Sequence, residues 1–363
     1  MGLACGIVGL PNVGKSTLFS AFTATPADRA VYPFSTTEAN VAVVSVPDER
    51  LELIHRYIAT ERIVPAAMNV VDIPGLAPGA SKGEGMGNKF LGAVKEADAL
   101  LQVVRCFENA SVVRDGPVDP KGDMEVLELE LAMADLETVA RNVERVSKKA
   151  RAGDKQSAFE KELFERAKGL LEEGKLLRTA PWKPEEKRAL QPLFLMTMKP
   201  MLYVANVDQD DLEGKSARAQ AVAAHSKEMG SEWIHLCGDL ECELVNMGPD
   251  DRAGFQNELG IKELALPRLI RKSFDLLGLQ TFFTAGPKEI RAWTIHKGDT
   301  GPIAAGVIHT DFLKGYVRAE VYSVDDLVAH GSEAAIKAHG KMRVEGREYP
   351  MRDSDVAHFL IAK

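Results

Sequence analysis

Gly9-Leu10-Pro11-Asn12-Val13-Gly14-Lys15-Ser16-Thr17 follows an apolar run from Leu3 to Val8 and leads into a helix-like stretch through Leu18, Phe19 and Phe22. The pattern G-x-x-x-x-G-K-S between a strand and a helix is the setting in which a backbone loop wraps phosphate groups. Glycines let the chain curl so that successive N–H groups converge on phosphate oxygens, and the helix start adds its partial positive charge. Asn12, Val13, Gly14, Lys15, Ser16 and Thr17 are therefore the expected phosphate-binding residues. Lys15 would reach the β- and γ-phosphates, and Ser16 offers a hydroxyl to Mg2+, which takes octahedral oxygen ligands and keeps several waters. The competing interpretation is a Gly-rich turn with an incidental Lys-Ser pair.

Downstream, Ala66 to Val71 reads as a buried strand ending in Asp72-Ile73-Pro74-Gly75. An Asp there can hold Mg2+ through water, and Gly75 can present its N–H to the γ-phosphate. Alone, D-x-P-G is an ordinary turn signal; after a phosphate loop it reads as a nucleotide switch. Between the two lies Tyr32-Pro33-Phe34-Ser35-Thr36-Thr37-Glu38, where Thr36, with Thr37 as the alternative, can add a second hydroxyl to Mg2+. Leu76 stands where related switches carry a Gln that orients the attacking water, and Leu cannot hydrogen-bond a water. Water positioning must then come from backbone, from a monovalent cation, from Arg114 or from a partner. Asn12 is expected to help ligate K+, offsetting charge that develops between the β- and γ-phosphates, and intrinsic turnover should be slow. The catalytic candidates are thus Lys15, Gly75 and Asn12.

Pro200 to Gln209 reads as a strand ending in Asn206. Guanine-reading proteins place N-K-x-D here, with the last Asp accepting from both guanine N–H donors. In this chain the Lys is Val207 and the Asp is Gln209. A hydrogen bond to a charged group is worth about 1.5–3 kcal/mol, so a neutral amide could forfeit roughly ten- to a hundredfold in affinity. Guanine specificity should be weak or lost, and adenine is the better expectation.

At 363 residues the chain exceeds one compact core, and two or three domains are expected. Strands and helices alternating around the switch motifs imply an α/β, doubly wound, mostly parallel sheet with nucleotide at the strand C-termini. Residues 123–199 have another texture. Leu129, Ala132, Leu136, Val139, Val143 and Val146 alternate spacings of three and four, and Phe159, Leu163 and Leu170 continue the seam after a turn near Gly153. That predicts an antiparallel helical hairpin, a coiled-coil insertion. Residues 141–155 at its tip hold six basic side chains against two acidic ones, net +4, which either touch rRNA or form a solvated face. From 279 to 363 the charges balance, and Phe282, Phe283 and Trp293 are expected in a core rather than as RNA platforms.

Composition excludes several classes. No run approaches the ~20 apolar residues that span a bilayer, and the N-terminus reads as no secretion signal, so a cytoplasmic protein without membrane contact is expected. Four scattered cysteines, Cys5, Cys106, Cys237 and Cys242, suggest buried thiols rather than a disulfide framework or zinc site. The net charge of −8 argues against nucleic-acid binding over the whole surface while leaving local basic patches open.

The set GLPNVGKST, YPFSTTEAN, VVDIPGLAPGASKGEGMGN, RCFEN and NVDQ resembles the YchF or Obg-like ATPase branch of the translation-factor-related GTPases. The C-terminal LQTFFTAGPKEIRAWTIHKGDTGPIAAGVIHTDFLKGYVRAEV is similar to that branch's TGS domain, a small β-grasp module, so the resemblance spans essentially the whole chain. It implies a P-loop nucleotide-binding domain in 1–122 and 200–278, the helical insertion in 123–199 and a TGS domain in 279–363. It also implies an ATPase that interacts with ribosomes, through the large subunit or the whole particle, with Ser16 and Thr36 on Mg2+. Adenine would lie against Asn206 and the Val207 main chain, with Phe107 of RCFEN either an apolar wall for the base or a core residue. The chain departs from the family at Gln209, usually acidic, and at Arg114, near where relatives commonly have a His. A monomer is favoured. A GTPase switch, or an RNA- or ribosome-binding scaffold stabilised by nucleotide, are the alternatives.

Overall fold

The computed structural model describes residues 3–24, 40–75, 86–109 and 116–362; Thr36, Thr37, Leu76 and Arg114 lie outside the described residues. By its internal contacts the chain divides into two compact units, residues 1–24, 37–42 and 70–266 in one and residues 25–36, 43–69 and 267–363 in the other. Sequence texture groups 43–69 and 267–278 with the nucleotide-binding domain; in the structure they join the C-terminal residues, for a reason visible in the second sheet below.

The first sheet has strand order β2-β4-β1-β5-β6-β7, with β1 at Ala4–Val8, β2 at Val41–Ser45, β4 at Ala67–Asp72, β5 at Ala99–Arg105, β6 at Met201–Asn206 and β7 at Glu232–Leu236. β1 pairs with β5, β5 with β6 and β6 with β7, all parallel. Every residue of β5 and β6 is buried, as the near-continuous apolar runs ALLQVVR and MLYVAN require of central parallel strands. The strand order reverses at β1, so a crevice opens beyond its carboxyl end, the place where α/β sheets bind ligands. Helices α1 (Lys15–Thr23), α3 (Met86–Glu96) and α7 (Ala217–Glu228) connect strands of this sheet and α8 (Gly238–Asn246) follows β7, while α2 (Arg50–Tyr57) belongs to the second unit.

The insertion is a helical hairpin. α4 runs from Pro120 to Arg151, capped by the Asp119 carboxylate on the Gly122 N–H. The chain turns through Gly153 at φ 90°, and α5, Lys155–Glu172, starts where Asp154 accepts from the Ser157 N–H at 2.8 Å. The expected seam is partly right. Ala132, Val139, Val146 and Leu163 are buried in the hairpin core, with Leu136, Val143 and Leu170 packed against it. Leu129 is 58% and Phe159 37% exposed. For Leu129 the reason is a change of buried face along α4: Met124, Leu127 and Leu131 face the core of the parallel sheet, whereas Val139 and Val146 face α5. Leu129 belongs to neither stripe. Asp135, fully buried, fixes this helix by accepting from the N–H groups of Met196 and Thr197 and from the Thr197 hydroxyl at 2.7–3.0 Å.

The chain returns through α6 (Pro184–Leu190) to β6, and α9 (Pro249–Glu258) and α10 (Ala265–Leu276) follow β7. The second sheet has order β11-β10-β12-β8-β9-β3. Its hairpin, β8 (Leu279–Ala285) and β9 (Ile290–His296), is followed by α11 (Gly301–Ile308) and α12 (Thr310–Gly315). Then come β10 (Tyr316–Ser323), α13 (Val324–His330), α14 (Glu333–Ala338), β11 (Arg343–Glu345) and β12 (Asp355–Ile361). β12 lies antiparallel to β10 and parallel to β8, the β-grasp arrangement. β3, Ile63–Val64, extends the sheet by pairing in parallel with β9, and α2 packs on the same unit; these pairings draw residues 43–69 to the C-terminal module. Phe282 and Phe283 are fully buried, and the Trp293 Nε1–H donates to the Thr284 hydroxyl at 2.8 Å beside the same core, so these aromatics serve packing.

Candidate functional site

The loop after β1 gets its shape from residues that tolerate unusual backbone. Gly14, the N-cap of α1, sits at φ 96°, and Asn12 at φ 62°. Any side chain on Gly14 would run into the Asn206 amide, and a Cβ on Gly9 would stand 2.6 Å from the Val103 carbonyl oxygen. Two glycines are thus demanded by close approach, which is why the motif is so legible. α1 starts with no side-chain cap, so the first-turn N–H groups of Lys15, Ser16 and Thr17 open toward the cavity those residues line.

Lys15 is buried, its ammonium donating to the carbonyl oxygens of Gly9 at 3.0 Å and Leu10 at 2.7 Å. Burial lowers its pKa to about 8, against a smaller opposite pull from Asp72. Burial likewise raises the Asp72 carboxyl above its ordinary value, partly offset by Lys15. The buried Lys15 charge is only partly compensated by the half-buried Asp72, an imbalance typical of functional sites. Gly75 abuts Lys15: a Cβ there would lie 3.2 Å from Nζ. The oxygens at this end, the Ser16 hydroxyl and the Asp72 carboxylate, are hard donors of the kind Mg2+ takes. So small a set fits an ion held chiefly by phosphates and water rather than by an all-protein cage.

Beyond the loop the cavity measures about 650 Å3 and extends between the ends of β5, β6 and β7. The Asn206 amide is its hinge pin: Nδ2 donates to the Val13 carbonyl at 3.0 Å and Oδ1 accepts from the Gly238 N–H at 2.9 Å. One side chain thereby ties the phosphate loop to the start of α8. Phe107 is half-buried and lines the cavity, with the Arg105 guanidinium 4.6 Å from its ring centroid, so it belongs to the wall and not to the core. Val207 and Gln209 also line this end, Gln209 exposed.

Sequence reasoning missed the supporting contacts. Asp208 accepts from the Glu108 N–H at 3.1 Å, Glu108 pairs with Arg218, and Arg105 Nε donates to the Phe107 carbonyl at 3.2 Å, so the two loops that flank the cavity mouth are clamped together. Asp210 and Asp239 line the same mouth. None of these sits in a recognisable spacing; charged residues just past two parallel strands were the only available signal. Cys5, Cys106 and Cys237 are buried thiols, and burial pushes Cys106 up to about 12.

Comparison with known proteins covers essentially the whole chain. Residues 4–144 match the family profile of the 50S ribosome-binding GTPases, and residues 279–362 match the YchF-GTPase C-terminal family, described as a protein of unknown function. The chain is 46% identical over 361 residues to the ribosome-binding ATPase YchF of Escherichia coli, 99% of each chain being covered. Against the Bacillus subtilis ribosome-binding ATPase YchF it is 44% identical over 362 residues, again covering 99% of each. The solved structure of the Schizosaccharomyces pombe YchF GTPase superposes with a TM-score of 0.90 at 35% identity, covering 99% of this chain and 98% of that one. With full-length identity at this level and the same fold throughout, the chain belongs to the YchF family.

Proposed function

We propose that this chain is a cytoplasmic, monomeric, ribosome-associated ATPase that binds ATP with Mg2+ and hydrolyses it slowly. The observation that carries the reading is the tightly curled loop of residues 9–17, whose glycines admit no Cβ and whose buried Lys15 ammonium is held on the Gly9 and Leu10 carbonyls, at one end of a cavity of about 650 Å3. Its relatives are named ribosome-binding ATPases. The N–H groups of residues 14–17 and the Lys15 ammonium bind the phosphates, and Gly75 offers its N–H to the γ-phosphate. Ser16 and Asp72, with Thr36, would hold Mg2+, whose charge offsets that of the triphosphate. Asn206 and the Val207 main chain face the adenine and Phe107 stacks beside it. Asn12 contributes to a K+ site, so equal hydrolysis rates in Na+ and K+ would remove that element.

For rRNA the candidate surface is the hairpin tip. Arg141, Arg145, Lys148, Arg151 and Lys155 form no ion pair among the described residues. Cosedimentation with purified ribosomes in ATP, in ADP and without nucleotide tests the reading, together with hydrolysis rates with and without ribosomes. Pelleting that depends on nucleotide is expected; no pelleting under any condition would contradict ribosome association.

A second reading, GTP as the substrate, is favoured by one feature: the Asp210 and Asp239 carboxylates at the cavity mouth are acceptors of the kind guanine N–H donors need.

A further inference from the structure

Phe194 is the most exposed large apolar side chain among the described residues, at 64%, and it sits at φ 50°, ψ 45°, in the left-handed region that a bulky residue avoids. Its neighbours explain the geometry. Leu193 and Leu195 are both buried in the hairpin core, and the left-handed kink is what turns the residue between them outward. Gly or Asn would make the same turn with less strain, so an aromatic held there points to a surface role for the ring.

The ring borders a cavity of about 790 Å3 between the end of α3, α6 and residues 191–200. Leucine and methionine side chains from the 190–198 segment floor it, and Lys95, Lys187 and Arg188 stand on its walls. Lys187 and Arg188 are exposed, and their side chains make no hydrogen bond or ion pair among the described residues. Lys199 is turned inward onto the carbonyl oxygens of Lys95 and Ala97; Glu96 and Asp98 are both exposed, Asp98 accepting from the Ala4 N–H at 2.9 Å, so the four cations of the lining outnumber its two carboxylates. A projecting aromatic face beside an apolar floor, flanked by uncommitted cations, matches the chemistry of an unstacked nucleobase and its phosphates.

We propose that the Phe194 cleft binds single-stranded RNA, the ring stacking on a base while Lys187 and Arg188 contact the adjoining phosphates. The proposal rests on ribosome association for the source of that RNA, and the test separates the two. Binding of an oligoadenylate of about 12 nucleotides is measured by fluorescence anisotropy, alongside ribosome pelleting, for the wild-type chain, Phe194→Asn, Phe194→Trp and the Lys187→Ala/Arg188→Ala double variant. Phe194→Asn should weaken oligonucleotide binding about tenfold without lowering the melting temperature, since Asn accepts the left-handed backbone, and Phe194→Trp should retain binding. The double variant should flatten the slope of log affinity against log salt by about 1.4. Unchanged oligonucleotide binding by Phe194→Asn overturns the proposal. If ribosome pelleting falls while oligonucleotide binding does not, the occupant is a protein and the RNA proposal is likewise overturned. Wild-type oligonucleotide binding that depends on Phe194, without pelleting, would uphold the RNA surface and remove the ribosome as its source.

Discussion

The two ends of the nucleotide cavity are built on different principles. At the phosphate end, backbone does the binding, and backbone that must curl tightly dictates glycine at positions 9 and 14 because any Cβ would meet Val103 or Asn206. At the base end, side chains from three loops converge, Phe107 after β5, Asn206 and Val207 at the end of β6, Cys237 and Asp239 before and within α8. Backbone geometry leaves a fixed spacing in the sequence; convergent side chains leave none. The first end is therefore constrained to one chemistry, while under the proposed reading the base preference of the second rests on single side chains such as Gln209.

The comparison is put under most stress by Lys15→Met. Loss of the ammonium should weaken ATP binding more than about a hundredfold, since it removes charged hydrogen bonds to two phosphates. The same change should stabilise the ligand-free fold at pH 7, by on the order of 1–3 kcal/mol, because a buried cation with a pKa near 8 is removed. The sign follows from linkage. A base whose folded pKa lies below its unfolded value penalises the fold fully below pH about 8, and the penalty fades as pH rises toward the unfolded value. Calorimetric titration and urea unfolding of both proteins check the pair of effects.

Asn206→Ala acts on the joint between the two ends. It strands the Val13 carbonyl and the Gly238 N–H, so ATP affinity should fall about ten- to a hundredfold with a loss of roughly 1–3 kcal/mol in stability, read by the same two measurements. A smaller effect belongs to pH. Triphosphate binds the protonated Lys15, so affinity should be flat below pH about 8 and decline above it by up to about tenfold per pH unit, with proton uptake visible in calorimetry across buffers of different ionisation enthalpy. Phe107→Ala should cost least, about five- to tenfold in ATP affinity; a larger loss would make the base end as rigidly specified as the phosphate end.

How much the sequence disclosed follows the same division. The phosphate loop, the Asp72 strand end and the hairpin with its turn at Gly153 were readable because each rests on local periodicity or glycine geometry; the C-terminal β-grasp module was legible only through its resemblance to the TGS domain. Leu129 was misplaced because a single heptad-like seam cannot show that α4 changes its buried face midway, from the sheet core to α5. The parallel pairing of Ile63–Val64 with β9 joins residues more than two hundred positions apart, and two residues carry too little pattern to announce it. The buried cluster of Glu128 with Arg178, Tyr203 and His225, which ties the hairpin base to β6 and α7, draws one residue from each of four segments and was equally invisible.

Titration of ATP and of GTP into nucleotide-free protein, with Mg2+ and K+ present, tests the central claim most directly. Tighter binding of ATP is the predicted result, with Gln209 unable to hold guanine as a carboxylate would. Tighter binding of GTP would contradict it and assign guanine recognition to Asp210 or Asp239 at the cavity mouth.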